Sequence, residues 1–273
     1  MNAYADVATF KSAIWADIET ITEQVWFRHL LEEASRYIDN GTHRAFFCWE
    51  GIKYYDGKYD NLRIDDVVSV SQIRLDEDSD DAFEAVMAGT DYLLTPYNQL
   101  PKEELKLSNS STFSGLADGV RRGIEITGVH GYGDGESATP YYLTGQTVQD
   151  NPLAAGATTV TVSATTTLGA GMTLRIDSEQ LYIASITNAT TFVVERGVNG
   201  TAAANHALNA PVSLYAVPAP INVAALTLAL RVWKRKDSAF QDIVGTAETG
   251  IVVTSKDEDP MVRTIMSKYF RRA

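Results

Sequence analysis

The chain of 273 residues contains one cysteine, Cys48. A single thiol excludes an intrachain disulfide and any site built from several thiolates. Its neighbours Phe46, Phe47 and Trp49 mark it as a small hydrophobe in a buried strand, not a nucleophile. Histidine is also scarce. His29, His43, His130 and His206 fall in different predicted elements, without the spacing of metal ligands. A thiol hydrolase assembled from Asp39, His43 and Cys48 would rest on sequence proximity, which is not triad geometry. No coherent catalytic set remains, so no enzyme, cofactor or metal is expected. No apolar run approaches the roughly 20 residues of a membrane span. The first residues, Met1–Asp6, lack the basic-then-apolar pattern of a signal peptide, so synthesis in a reducing cytoplasm is expected. Basic charge is in deficit: 23 Lys and Arg stand against 35 Asp and Glu, a net charge of −12. That balance argues against a grip on nucleic acid or on an anionic membrane.

Lysine is missing altogether from Asn151 to Val217. Beyond Asp150, the only charges there are Arg175, Asp177, Glu179, Glu195 and Arg196. The stretch reads as short alternating strands at 159–162, 172–176, 181–186, 192–194 and 212–215. Turn residues separate them, as in Gly169-Ala170-Gly171, Asp177-Ser178, Asn188-Ala189 and Gly197-Val198-Asn199-Gly200. Both flanks are more highly charged and partly helical. The expected organisation is an adaptor domain in two parts, 1–145 and 218–273, with an all-β module inserted at 146–217. Insertion is tolerated where it leaves the host core uninterrupted.

Within the first part, a short helix is predicted from about Asp6 to Trp15. Thr20-Ile21-Thr22-Glu23 is a capping box for a second helix. Trp26, Phe27, Leu30, Leu31, Ala34, Tyr37 and Ile38 share one face of it, opposite Arg28, Glu32, Glu33 and Arg36. Asn40-Gly41 is the predicted stop. Strands follow at Ala45–Glu50, Ile52–Tyr55, Val67–Leu75, Asp91–Leu94 and Gly123–His130, with a long loop at 100–116. In the last part, Pro218 and Pro220 introduce a helix reaching about Lys236. Its apolar stripe is Ile221, Ala224, Ala225, Leu228, Val232 and Trp233. A short hairpin or extended arm is expected at 245–255. Asp259-Pro260 opens a final amphipathic helix.

Two motifs invite chemistry. Asp76-Glu77-Asp78-Ser79-Asp80-Asp81 alternates carboxylates as calcium loops do. Such a loop needs Gly at position six and Glu at twelve, where this chain has Asp81 and Met87. A solvated hairpin tip accounts for it; so does an acidic rim of Asp76, Glu77, Asp78, Asp80 and Asp81 that repels DNA in a channel. The glycine-rich run from Gly128 to Gly135 follows a strand but precedes no helix, so it lacks the N-terminus a phosphate cradle requires. Its glycines fit a strand exit and a tight turn.

Four phrases recur in a telling order: Ala34-Ser35-Arg36-Tyr37-Ile38-Asp39, Asp91-Tyr92-Leu93-Leu94, Thr127-Gly128-Val129-His130-Gly131-Tyr132-Gly133, and the Ala/Leu-rich Ala224–Arg235. Together they resemble the head–tail connector, or head-completion adaptor, proteins of long-tailed bacteriophages, over roughly residues 4–135 and 218–273. The stretch Ile186–Thr201 looks like small β modules of other phage virion proteins; compact connectors have only a loop at that place. The resemblance implies an α+β fold: a helical adaptor scaffold with a small antiparallel β-sheet, here carrying an inserted all-β barrel or sandwich. It implies a dodecameric ring in the virion neck, docked on the portal protein. DNA passes through it unbound, and the next neck protein, stopper or tail terminator, assembles on it. The final helix would offer Val262, Ile265, Met266, Lys268, Tyr269, Phe270, Arg271 and Arg272 to a portal groove; packing on its own domain is the other use of that stripe. A different class of reading is a surface- or carbohydrate-binding protein acting through the β module. It needs exposed aromatics there, and the module has Tyr182, Phe192 and Tyr215.

Overall fold

The computed structural model describes residues 2–14, 21–237, 243–245, 252–254 and 259–271. In chain order its elements are α1 (Val7–Ile14), α2 (Ile21–Thr42), β1 (Trp49–Tyr55), β2 (Asn61–Leu75), β3 (Ala85–Val86), β4 (Tyr92–Thr95), β5 (Lys102–Leu107), β6 (Ile124–His130), β7 (Tyr141–Thr147), β8 (Thr159–Thr161), β9 (Thr173–Ile176), β10 (Glu179–Ile186), β11 (Thr191–Glu195), β12 (Pro211–Tyr215), α3 (Ala219–Asp237), β13 (Ile243–Gly245), β14 (Val252–Thr254) and α4 (Pro260–Tyr269). They form two compact units. One comprises Met1–Arg44, Tyr141–Val198 and Ala202–Ala273; the other comprises Ala45–Pro140 with Asn199–Thr201.

The unit around 45–140 is a six-stranded antiparallel sheet in the order β1-β6-β2-β5-β4, with β3 beside β2. The fifteen-residue β2 serves three neighbours, pairing β5 through its first half, β6 through its second and β3 through its last two residues. Leu62 and Ile64 face the core before a register shift between Arg63 and Val67; Val67, Ile73 and Leu75 face it afterwards. Strand side chains alternate faces, so an even-to-odd change of inward positions requires such an irregularity. Leu105, Leu116, Ile124 and Ile126 complete the core. At the exit of β6, Gly131 has φ +130, and a Cβ there would lie 2.2 Å from the Phe47 carbonyl oxygen. Only glycine tolerates both conditions.

In the other unit, six strands run in the order β7-β12-β9-β10-β11-β8. The first and last also meet: Val148 bridges Val162, Gln149 N donates to Thr161 O at 2.8 Å, and Ser163 N donates to Thr147 O at 3.0 Å. The sheet thus closes into a barrel, which removes most exposed strand edge. Val160, Leu174, Ile176, Leu181, Ile183, Phe192, Val194, Val212 and Leu214 are buried. Strand β10 is buried at five consecutive residues from Glu179, as happens when both faces of a strand are covered. One cover is α2, whose Glu32 accepts a 2.6 Å hydrogen bond from the Tyr182 hydroxyl. Burial, then the Glu32 partner, push the Tyr182 pKa upward. Helix α1 joins through Val7 N, which donates to Ala170 O, and Thr173 Oγ1 donates to the Asn2 side chain.

Phe10, Phe27, Leu31, Ile38, Ile221, Ala224, Ala225 and Ala229 form the helical core of this unit. Trp233 sets an edge on Phe27 at 5.1 Å and also meets Trp26. Helix α4 starts on Asp259, whose carboxylate accepts from Met261 N and Val262 N. Its Val262, Ile265 and Met266 are buried.

The expected α+β architecture, a helical adaptor scaffold with a small sheet, is overturned. Among the described residues the fold is mostly β: two antiparallel six-stranded sheets and four short helices. Three strands escaped notice: the two-residue β3, and two others for identifiable reasons. Strand β5 lies in the expected loop at 100–116; its sequence Lys-Glu-Glu-Leu-Lys-Leu looks polar because only Leu105 is fully buried. Strand β7 has no buried residue in its run and so no hydrophobic alternation to read. Further corrections are local. Strand β1 is one strand, not two. Arg28 is buried on α2 instead of facing solvent. The helix passes through Gly41 to Thr42, and His43 takes the left-handed turn at φ 55. Gly41 is small for a different purpose: a Cβ there would lie 1.9 Å from the Met266 Cε. The capping box at 20–23 and residues 246–251 and 255 of the expected arm lie outside the described residues or side chains; β13 and β14 pair antiparallel.

Truncating Ile265 to Ala should therefore cost about 2–4 kcal/mol of folding stability, the range for buried large-to-small changes. Lys268→Ala, on the exposed side of α4, should stay within about 0.5 kcal/mol. Urea denaturation of the two variants measures the difference.

Candidate functional site

Sequence inspection passed over the most concentrated chemistry in the chain. The β9–β10 hairpin carries Asp177 at its turn, with φ 52, and Glu179 as the first residue of β10. Arg196 follows β11, and His206 lies in the connection to β12. Folding brings the four together. Glu179 is fully buried, and Arg196 holds it with two parallel bonds of 2.7 and 2.8 Å. The amides of Gly197 and Ala204 each donate to it at 2.9 Å. His206, also buried, lies between two carboxylates: Nε2 is 2.8 Å from Glu179 and Nδ1 is 2.7 Å from Asp177. An imidazole donates from both nitrogens only when both carry protons. Arg196 also donates to the carbonyls of Ala154, Ala157 and Ala204.

Burial alone would raise the Glu179 pKa. The Arg196 hydrogen bonds outweigh it, with help from the Ala204 amide, His206 and the Gly197 amide, and the pKa falls from 4.5 to about 2. The polar atoms of Glu179, Arg196 and His206 are bonded inside the protein; the Asp177 carboxylate, which meets His206 through one oxygen, is more than half exposed. A general acid or base needs reach to a substrate proton, and Glu179 has no exposed surface. The arrangement is a structural ion centre that fastens the 197–210 connection to the barrel. One signal could have found it: in a stretch with so few charges, Asp177, Glu179 and Arg196 are most of them.

The acidic turn at 76–81 joins β2 to β3. Asp76 is buried, and its two oxygens accept from Ser79 N at 2.8 Å and Asp81 N at 3.0 Å. One oxygen each from Asp76, Asp78 and Asp80 lie within 4.8 Å of one another. Among the described residues these carboxylates are the group spaced for a hard cation. Asp78 and Asp80 are exposed, as are Glu77 and Asp81. Ser79 and Asp81 both have φ 67, and the Asp76 carboxylate holds this tight turn.

The final helix divides. Val262, Ile265 and Met266 pack inside their own unit. Lys268 and Phe270 are exposed, Tyr269 and Arg271 are half-buried, and Arg272 lies outside the described residues. Arg44 Nε donates to Tyr269 O at 2.7 Å, Arg271 N donates to Thr42 O at 2.9 Å, and Phe270 meets His43 edge-on. The remaining candidates lie apart, each held within the fold. Cys48 is fully buried, and Asp39 accepts the Tyr4 hydroxyl at 2.6 Å. His130 is buried, stacks on Trp49 and keeps a lowered pKa because burial disfavours its charged form. The glycine run ends in a turn capped by Asp134, which accepts from the amides of Glu136 and Ser137, with no helix after it. In the barrel, Tyr182 and Phe192 are fully buried and Tyr215 is half-buried against Tyr141. Compared with known proteins, the chain matches no family model and no curated protein.

Breaking the ion centre from one side should be severe. Glu179→Ala leaves Arg196 and His206 buried without their carboxylate and should cost about 3–5 kcal/mol, read as a fall in Tm at neutral pH. The acid response has a definite sign. The folded pKa is depressed, so this stabilisation is complete above pH 4.5 and is lost as pH falls towards 2. The Tm of the native chain should drop across that window, and the Glu179→Ala variant should show a smaller drop.

Proposed function

We propose that this chain is a structural virion protein, a head–tail connector whose copies form a ring on the portal. The ring extends the DNA channel and carries the next neck protein. The observation that carries this reading is the placement of charge. The unit of Ala45–Pro140 and Asn199–Thr201 has 18 acidic residues against 8 basic ones, a net −10 of the chain's −12. A surface of that sign repels phosphate and lets a duplex move without sticking. The order of connector-like phrases supports the same reading. So does the one dense polar cluster, whose buried members Glu179, Arg196 and His206 are bonded to one another and to the backbone.

A ring arises when a head-to-tail contact closes on itself. In this reading the portal contact belongs to the outward end of α4: Lys268 and Phe270, with Tyr269 and Arg271 at their sides. Val262, Ile265 and Met266 hold the helix to its own unit. Aromatic anchors contribute on the order of 2 kcal/mol or more to such interfaces, and exposed charge pairs contribute less. Phe270→Ala should therefore weaken portal docking more than Lys268→Ala, with both variants folding normally.

Mixing the purified chain with assembled portal tests the function. Co-sedimentation as a larger particle, with a ring of this chain visible by electron microscopy, is the expected result. A portal that sediments unchanged at saturating chain would refute it. The assembled ring should also show no duplex binding at physiological salt. Affinity that declines steeply with added salt would contradict the acidic-channel reading, because phosphate contacts reveal themselves in that way.

A further inference from the structure

The tip of the β4–β5 hairpin bounds an open cleft of about 590 Å³ lined by Arg63, Thr95, Pro96, Gln99, Glu103 and Glu104. That volume is within the usual range of small-molecule sites. Its walls are polar, so an apolar ligand would gain little there. They are also balanced in charge. Glu104 is bonded to Lys106 at 2.9 Å and to the Thr95 hydroxyl at 2.8 Å, and Arg63 stands opposite Glu104 in the strand register. Inorganic anions meet the two glutamates, and cations meet Arg63 and Lys106.

Three features make this a prepared surface. The tip is braced by Lys102, whose ammonium donates to the carbonyls of Pro96 at 2.6 Å and Tyr97 at 2.9 Å. Arg63 sits at the edge of the β2 register shift, the kind of irregularity that re-aims a side chain. No described residue pairs with Arg63 or with the Gln99 amide, so planar donors face the solvent of the cleft. Beside them Tyr97 is 62% exposed. Its carbonyl is one of the two that hold the Lys102 ammonium, so the residue is fixed at the tip of the hairpin.

We propose that this cleft binds a neutral saccharide. Arg63, Gln99 and Glu103 would bond neighbouring hydroxyls, and the Tyr97 ring would cover an apolar face of the sugar. A neutral polyol is the ligand class that uses donors and acceptors together, needs an aromatic platform and brings no net charge. The site lies within one unit and does not depend on the ring reading; either can fail without the other.

The test is a titration of the full-length chain, followed by amide resonances, with maltose, lactose, cellobiose and chitobiose. Inorganic phosphate and glucosamine are the charged probes. At least one neutral sugar should shift the Tyr97 and Gln99 amides saturably at about 10 mM or below, and the charged probes should not. Tyr97→Ala, Gln99→Ala and Arg63→Ala should each weaken binding at least about tenfold. All three positions are exposed, so well-dispersed spectra should persist. Tyr59→Ala, at a tyrosine just as exposed, should bind as the native chain does. Absence of any shift across the four sugars would overturn the proposal. So would stronger binding of phosphate, or native affinity in the Tyr97 and Gln99 variants.

Discussion

A carboxylate with no solvent-accessible surface constrains everything built around it. Removing Glu179 from water carries a desolvation cost of several kcal/mol, which only well-placed partners offset. Those partners come from four places in the chain: the end of β11, the amides at 197 and 204, the histidine before β12, and, through Arg196, the carbonyls at 154 and 157. The connection from Gly197 to Ala210 has few buried apolar residues of its own. It is positioned by charge and hydrogen bonds instead of by a greasy plug. Such a network is high in stakes, because losing one member leaves the others buried and unpaired.

The same economy explains where the remaining charges lie. In the unit that holds the barrel and helices, ionic groups are drawn into contacts: Arg28 beside Glu32 and Glu195, Arg36 on Asp39, Arg231 on the helix-capping Asp259. In the unit around 45–140 the acidic residues outnumber the basic ones by ten, and Glu77, Asp78, Asp80, Asp81 and Glu84 among them are exposed. The two units thus differ in how they hold charge: one draws its ionic groups into contacts, and the other carries most of the chain's negative balance. The connector proposal therefore rests on electrostatics and on the order of phrases along the chain, since the helical scaffold first expected is not the fold observed.

Much of this was legible in the sequence wherever periodicity and burial coincide. The strands of the barrel at 159–162, 172–176, 181–186, 192–194 and 212–215 match β8 to β12 closely, because each alternates with turn residues between. The helices α2, α3 and α4 stood out by their apolar stripes. What stayed hidden was long-range. Nothing local marks β7 as a strand, since its pairing with β12 places it rather than its own side chains. Gly41 looked like a helix stop, yet it serves the approach of Met266 from a helix more than two hundred residues away. Arg28 sat on the polar side of a helical wheel, but the barrel covers that side. The Glu179 centre needed His206 and Arg196 to be recognised as neighbours across three strands, information that spacing does not carry.

The central claim is that the buried Glu179 centre is part of the scaffold and not a working site. Native-state hydrogen exchange of the Gly197 and Ala204 amides addresses it directly, since both donate to Glu179. A structural centre predicts that they open only with the barrel, as slowly as the amides of Ile183 and Val194 within it. Exchange at the rate of an exposed loop, with Ile183 and Val194 still protected, would mean that the connection lifts away from Glu179 on its own, and the account would be wrong.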